Sequence, residues 1–311
     1  MNIVSTKQLI FAGRLALALF LIPAVSARAA DEFTWDAATN AAAHGDSRAE
    51  YYLARHYAKG DGVPKDVTKA ADYMRLAAEH GLAFAQTDFG AYCANGFGVP
   101  QDYQTSVQWY RKAADQGDAL ALFSLGRDYA LGRGVATNLT EAIRWYQQAA
   151  EQNQPDAVIA LGEIYLNGRE GIPVDNQAAV RWFQKGAALG RADALSYLGL
   201  IYEHGGSGIP SDINQAVKYY REAAEKNDGL GQMSLGRMYQ DGTGADRDLV
   251  QAFKWFYLAT HNGEQVADHY LKLLNGTSPL AGKTLLTSEQ INEAMRQAHE
   301  FEKFKAEESV P

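Results

Sequence analysis

The stretch Ser124–Ala150 carries two helical patterns joined by a glycine-bounded turn. Leu122, Leu125, Gly126 and Tyr129 fall on one face at 3.6-residue spacing and predict a first helix, A, over about Asp118 to Leu131. Gly126 sits inside that helix, where glycine costs roughly 1 kcal/mol against alanine. It is therefore expected to have a packing reason, a close approach of the next helix. Gly132-Arg133-Gly134 ends helix A, since glycine tolerates the left-handed conformation needed there. Asn138, with Glu141 three residues on, predicts the N-cap and capping box of a second helix, B. Ala142, Trp145, Tyr146, Ala149 and Ala150 form the apolar face of helix B, and Asn153 closes the unit.

The same unit recurs six times. An apolar residue, usually followed by glycine, marks helix A at Leu53-Ala54, Phe89-Gly90, Leu125-Gly126, Leu161-Gly162, Leu198-Gly199 and Leu235-Gly236, at intervals of 36, 36, 36, 37 and 37 residues. An aromatic pair or its relative marks helix B: Tyr73-Met74, Trp109-Tyr110, Trp145-Tyr146, Trp182-Phe183, Tyr219-Tyr220 and Trp255-Phe256. The helix B cap is Asp66, Asp102, Asn138, Asp175, Asp212 or Asp248. The two longer intervals come from one extra residue in the A–B loop, at Asn167–Gly171 and His204–Gly208. Self-similarity at a fixed period predicts an all-α solenoid of stacked helix pairs, with copies at about 47–81, 82–117, 118–153, 154–190, 191–227 and 228–263.

The ends depart from the pattern. Residues 31–46 resemble the tail of one unit and are expected to form an N-terminal capping helix. Gln265 to Leu274 reads as a last helix A without its glycine, and Asn275 to Ser288 as a loop. Ser288 to about Lys305 reads as an amphipathic C-terminal capping helix with Ile291, Met295, Ala298 and Phe301/Phe304 as its apolar line, followed by a disordered tail at 307–311. Residues 1–29 have the form of an export signal. Lys7 and Arg14 precede the apolar run Leu15 to Ala27, and Ala27-Arg28-Ala29 is a small-x-small cleavage site. The run is too short to span a membrane comfortably, and no cysteine follows it, so a cleaved, periplasmic or secreted chain is expected rather than a lipoprotein.

These landmarks resemble the Sel-one-like repeat family, relatives of the tetratricopeptide repeats. The family pattern is met by Ala121, Leu125-Gly126, Tyr129, Gly132, Gly134-Val135, Ala142, Trp145-Tyr146 and Ala149-Ala150, and is departed from at Ala54, Cys93 and Asn138. The resemblance covers about Arg48 to Gly263. It implies a right-handed superhelix with helix A lining the concave side, and a role as a non-enzymatic adaptor for a protein or peptide partner. It offers two alternatives: an immunity protein that neutralises a secreted toxin, or an envelope enzyme akin to penicillin-binding proteins or β-lactamases. The last subgroup carries paired cysteines in each repeat, and Cys93 is the single cysteine of this chain.

Composition narrows the partner. A net charge of −8 and the lack of a basic stripe argue against nucleic acid. With one cysteine the fold must hold by packing alone, and Cys93, at a position that is Tyr in the other copies, is expected to be buried.

No catalytic or cofactor set emerges. Gly282-Lys283-Thr284 lacks the upstream glycine of a phosphate-binding loop, with Thr277 in its place. Gly206-Ser207-Gly208 lacks the nucleophile-elbow pattern. The seven histidines lack metal-ligand spacing, and His80 and His261 are placed to support helix C-termini. The acidic loop Asp241–Asp248 lacks alternating calcium ligands. The sequons at Asn138 and Asn275 carry no further meaning in this setting. The aromatic pairs recur at one position in every copy and are expected to be core.

What remains are helix A positions that vary between copies. By tetratricopeptide-like geometry they are two residues before or after the landmark leucine, or five before it. The expected partner-binding set is Tyr51, Arg55, Phe84, Phe123, Arg127, Ile159, Glu163, Met233 and Arg237, with Leu120 and Leu230 at related positions. Apolar and aromatic groups interleaved with arginine suit a recognition surface; the alternative is that the apolar ones belong to the core.

Overall fold

A computed structural model describes residues 33–169, 171–277 and 285–308. The proposed signal segment and the Gly282-Lys283-Thr284 motif lie outside the described residues.

The described residues form a repeat helical solenoid. α1 (Trp35–Ala43) is followed by six helix pairs, α2/α3 (Ser47–Lys59, Val67–Glu79), α4/α5 (Ala83–Asn95, Tyr103–Asp115), α6/α7 (Ala119–Leu131, Leu139–Glu151), α8/α9 (Pro155–Asn167, Asn176–Ala188), α10/α11 (Ala192–His204, Ile213–Glu225) and α12/α13 (Gly229–Asp241, Leu249–His261), then by α14 (Gln265–Leu274) and α15 (Ser288–Glu308). Each of the twelve paired helices is 13 residues long, about 20 Å at 1.5 Å per residue. The array divides into two compact units: residues to Leu161 with Arg169–Ile172, and Gly162–Gly168 with Pro173 onward.

The helix B caps are as the sequence predicts. Asn138 accepts from the Glu141 backbone N–H at 3.0 Å, and the five aspartates cap their helices in the same way. The reciprocal half of the capping box is not made. The Asn138 backbone N–H donates instead to the Tyr129 carbonyl at 2.9 Å. Asp66, Asp102, Asp175, Asp212 and Asp248 donate likewise to Tyr57, Cys93, Tyr165, Tyr202 and Tyr239. One backbone hydrogen bond per copy thus ties the start of helix B to the last turn of helix A. It uses the backbone of the tyrosine landmark, so Cys93 serves as well as tyrosine. In the two longer loops the extra residue is taken up by single bridges, Arg169 to Ile172 and Gly206 to Ile209.

The aromatic pair of helix B splits into two roles, which corrects the expectation that both rings are core. The second member is fully enclosed: Met74, Tyr110, Phe183, Tyr220 and Phe256 are no more than 1% exposed. It seats on the glycine of helix A. A Cβ placed on Gly90, Gly126, Gly162, Gly199 or Gly236 would stand 2.5–2.8 Å from the ring of Tyr110, Tyr146, Phe183, Tyr220 or Phe256. In the first copy Ala54 replaces the glycine and Met74 replaces the ring. The first member is half-buried in most copies, and three of the tryptophans take a cation on the face: Lys112 Nζ lies 3.8 Å from the Trp109 ring centre, the Arg144 guanidinium carbon 5.5 Å from that of Trp145, and Lys254 Nζ 4.6 Å from that of Trp255.

α15 packs on α13. Its Phe301 ring meets Trp255 at 5.5 Å, and Ala294 and Ala298 are fully buried. Phe304 is 54% exposed and does not belong to the apolar line, while the helix continues through Glu307 and Glu308, which the sequence assigned to a disordered tail. Cys93 is buried, and burial pushes its thiol up to about 11. His80 corrects another expectation. Its Nδ1 lies 2.7 Å from Glu50 Oε2, so it braces the preceding helix A rather than its own helix end.

Candidate interaction surface

The variable helix A positions sort by their place in the column. Residues two before the landmark differ in exposure between copies, and Tyr51 reaches the next helix A at Phe84 and Asp88. Tyr51, Ile159 and Met233 are 1%, 7% and 8% exposed, so the expected exposure of these three is corrected. Tyr51 meets Phe84 edge-on at 4.6 Å, and its hydroxyl donates to Asp88 Oδ2 at 2.9 Å. Leu230 is buried as well, whereas Phe84, Leu120 and Phe123 are half-buried. Residues two after the landmark, Arg55, Arg127, Glu163 and Arg237, are all half-buried.

In the first unit, Phe123 lies 5.7 Å from the Tyr146 ring and 5.9 Å from the Arg127 guanidinium carbon. Arg127 makes no ion pair within 4.0 Å among the described residues, and its Nε is enclosed without a hydrogen-bond partner. Next to it Asp128 is 1% exposed, and its Oδ2 has no partner. Burial raises the Asp128 carboxyl to about 6 against the opposing pull of Arg127 and Arg133. Asp88 is also raised to about 6 by burial, opposed by the Tyr51 hydrogen bond and helped by the nearby charge of Asp118. A small cavity of about 40 Å³ lies at the edge of this unit, lined by Tyr52, Arg55, His56, Lys59 and Asp61.

In the second unit the charges are matched in place. Arg237 Nη2 donates to Glu203 Oε1 at 2.6 Å, and the Tyr220 hydroxyl donates to Glu203 Oε2 at 2.7 Å. The Tyr197 hydroxyl donates to Glu163. The sequence reading missed Glu203, Asp88 and Asp128. A signal was present for Asp88, an acid in a column otherwise filled by Tyr, Ser and Ala, whereas Glu203 and Asp128 share their columns with the polar Gln240 and His56.

The Sel1 repeat model matches residues 47–82, 83–118, 119–154, 155–190, 192–228 and 229–264. The chain belongs to the Sel1 repeat family. Among solved structures, this Sel1 repeat chain is 32% identical to c5321, a protective antigen of uropathogenic Escherichia coli displaying an SLR fold, with a TM-score of 0.73 over 86% of this chain and 56% of the other. It is also 32% identical to a Sel1 repeat protein from Oxalobacter formigenes, with a TM-score of 0.67 over 77% of this chain and 68% of that one. The chain thus spans little more than half the length of the Escherichia coli antigen. No curated protein matches it. Among the described residues no group of three or more His, Cys, Asp or Glu could hold a metal ion, and no helix is long and apolar enough to cross a membrane.

Proposed function

We propose that this Sel1 repeat chain is a non-enzymatic interaction scaffold of the bacterial cell envelope, exported by its N-terminal signal. It binds a protein or peptide partner on the concave helix A face. The observation that carries the reading is the division of labour along helix A. The recurring landmark pair of helix A, such as Leu125-Gly126, is buried in the scaffold in every copy, while Phe84, Phe123, Arg55, Arg127, Glu163 and Arg237 vary between copies and are half-exposed. A rigid repeat frame presenting variable aromatic and charged groups suits partner recognition.

The test is site-specific photocrosslinking in cells exporting the full chain, with a photoreactive phenylalanine at position 123 or at position 144. Arg144 lies on the exposed side of helix B, its side chain 65% exposed. A discrete protein adduct from position 123 and none from 144 is expected. Equal labelling from both positions, or none from 123, removes the helix A face from the reading.

A further inference from the structure

We propose, resting on the scaffold reading, that Arg127 anchors a side-chain carboxylate, Glu or Asp, of an extended partner segment laid on the helix A face of the first unit. The chain's own second unit supplies the template. Arg127 and Arg237 hold the same position in their copies, two residues after Leu125 and Leu235. Arg237 is neutralised by Glu203, five residues after the landmark of the preceding copy, and Glu203 also takes a hydrogen bond from Tyr220. The residue equivalent to Glu203 in front of Arg127 is Ala94, and the residue equivalent to Tyr220 is Tyr110.

Arg127 therefore stands in the frame of the Arg237 site without that site's carboxylate. Asp128, its neighbour, does not replace it, because no nitrogen–oxygen approach within 4.0 Å joins the two. Arg133 adds a second positive charge to the field at Asp128. The local balance of Arg127, Arg133 and Asp128 is positive in a chain of net charge −8, so an acidic side chain is drawn to this spot. Phe123, 5.9 Å from the guanidinium, supplies an apolar contact beside the charge. A half-buried guanidinium favours a carboxylate over an amide, because charge-assisted bonds are about twice as strong as neutral ones.

The experiment uses the full chain and two capped probe peptides, Ac-GSELSG-NH2 and its Gln counterpart Ac-GSQLSG-NH2, followed through the arginine Nε–Hε resonances. The Glu peptide is expected to shift the Arg127 resonance saturably, and the Gln peptide to bind roughly ten- to hundredfold more weakly. R127Q should lose the difference between the peptides. A94E, which restores a carboxylate in front of Arg127, should remove binding there. E203Q should open a second site that reports at Arg237. Equal affinity for both peptides, undiminished Glu-peptide binding by R127Q, or no shift at Arg127 overturns the assignment. Photocrosslinking from position 123 reads the scaffold separately: adducts that persist undiminished in R127Q retain the scaffold and remove the anchor.

Discussion

Gly126 and Tyr146 are a matched pair: a Cβ on Gly126 would stand 2.6 Å from Tyr146 Cδ1, so the missing side chain on helix A is the seat of the ring on helix B. The first copy solves the same problem differently, with Ala54 opposite Met74, both buried. Gly126→Ala should gain up to about 1 kcal/mol of helix propensity but overpack the seat by about 1–3 kcal/mol. The net effect expected is destabilisation. Adding Tyr146→Met, which copies the first unit, should recover part of the loss. A urea double-mutant cycle measures this; strictly additive effects would show that ring and glycine are not coupled.

The second glycine of each A–B loop has a different task. A Cβ on Gly134 would lie 2.2 Å from the Tyr103 carbonyl oxygen at the start of the preceding helix B, whereas one on Gly62 in the first copy would meet nothing within 4 Å. Both have positive φ, 68° and 71°. Gly62→Ala should therefore cost only the left-handed strain, about 1–2 kcal/mol. Gly134→Ala should cost about 3 kcal/mol or more, because backbone must move. Thermal or urea midpoints of the two variants decide it, and equal losses would refute the inter-copy contact.

Asp128 should make stability depend on pH in an unusual direction. Its folded carboxyl is raised to about 6 by burial, above the usual value of 3.8. Between those values the folded state holds more protons than the unfolded one, so its stability falls as pH rises from about 4 to about 6 and stays level above. Asp128→Asn removes the buried charge. At pH 7 the variant should be more stable than wild type by about 1–3 kcal/mol, with the advantage shrinking towards pH 4. Denaturant titrations at pH 4, 5, 6 and 7 check the trend; an advantage that grows on acidification contradicts it.

Cys93 is enclosed, and its thiol is pushed up to about 11. Reaction with a maleimide at pH 7.5 should be at least tenfold slower for the folded chain than in denaturant, since the thiolate is the nucleophile. Comparable rates would mean that the last turn of α4 opens readily.

The sequence alone determined the period, the helix pairs, their caps and the closing glycines, because these follow from local rules: apolar spacing, side-chain capping and left-handed backbone. The local pattern predicts a helix over Asp118–Leu131, and the helix runs from Ala119 to Leu131 with Asp118 as its cap; Asn138 caps the next helix as its sequence position predicts. Periodicity assigned faces to the scaffold but could not rank the variable positions, since Tyr51, Ile159 and Met233 differ between copies as Phe123 does. Only tertiary packing buries those three and leaves Phe123 half-exposed. The same holds for charge. Arg127 and Arg237 look alike in sequence, and it is the placement of Glu203 beside one of them, from a residue 34 positions away, that neutralises Arg237 and not Arg127. Long-range side-chain pairing depends on which copies become neighbours in space, and that is decided by tertiary packing rather than by the local pattern.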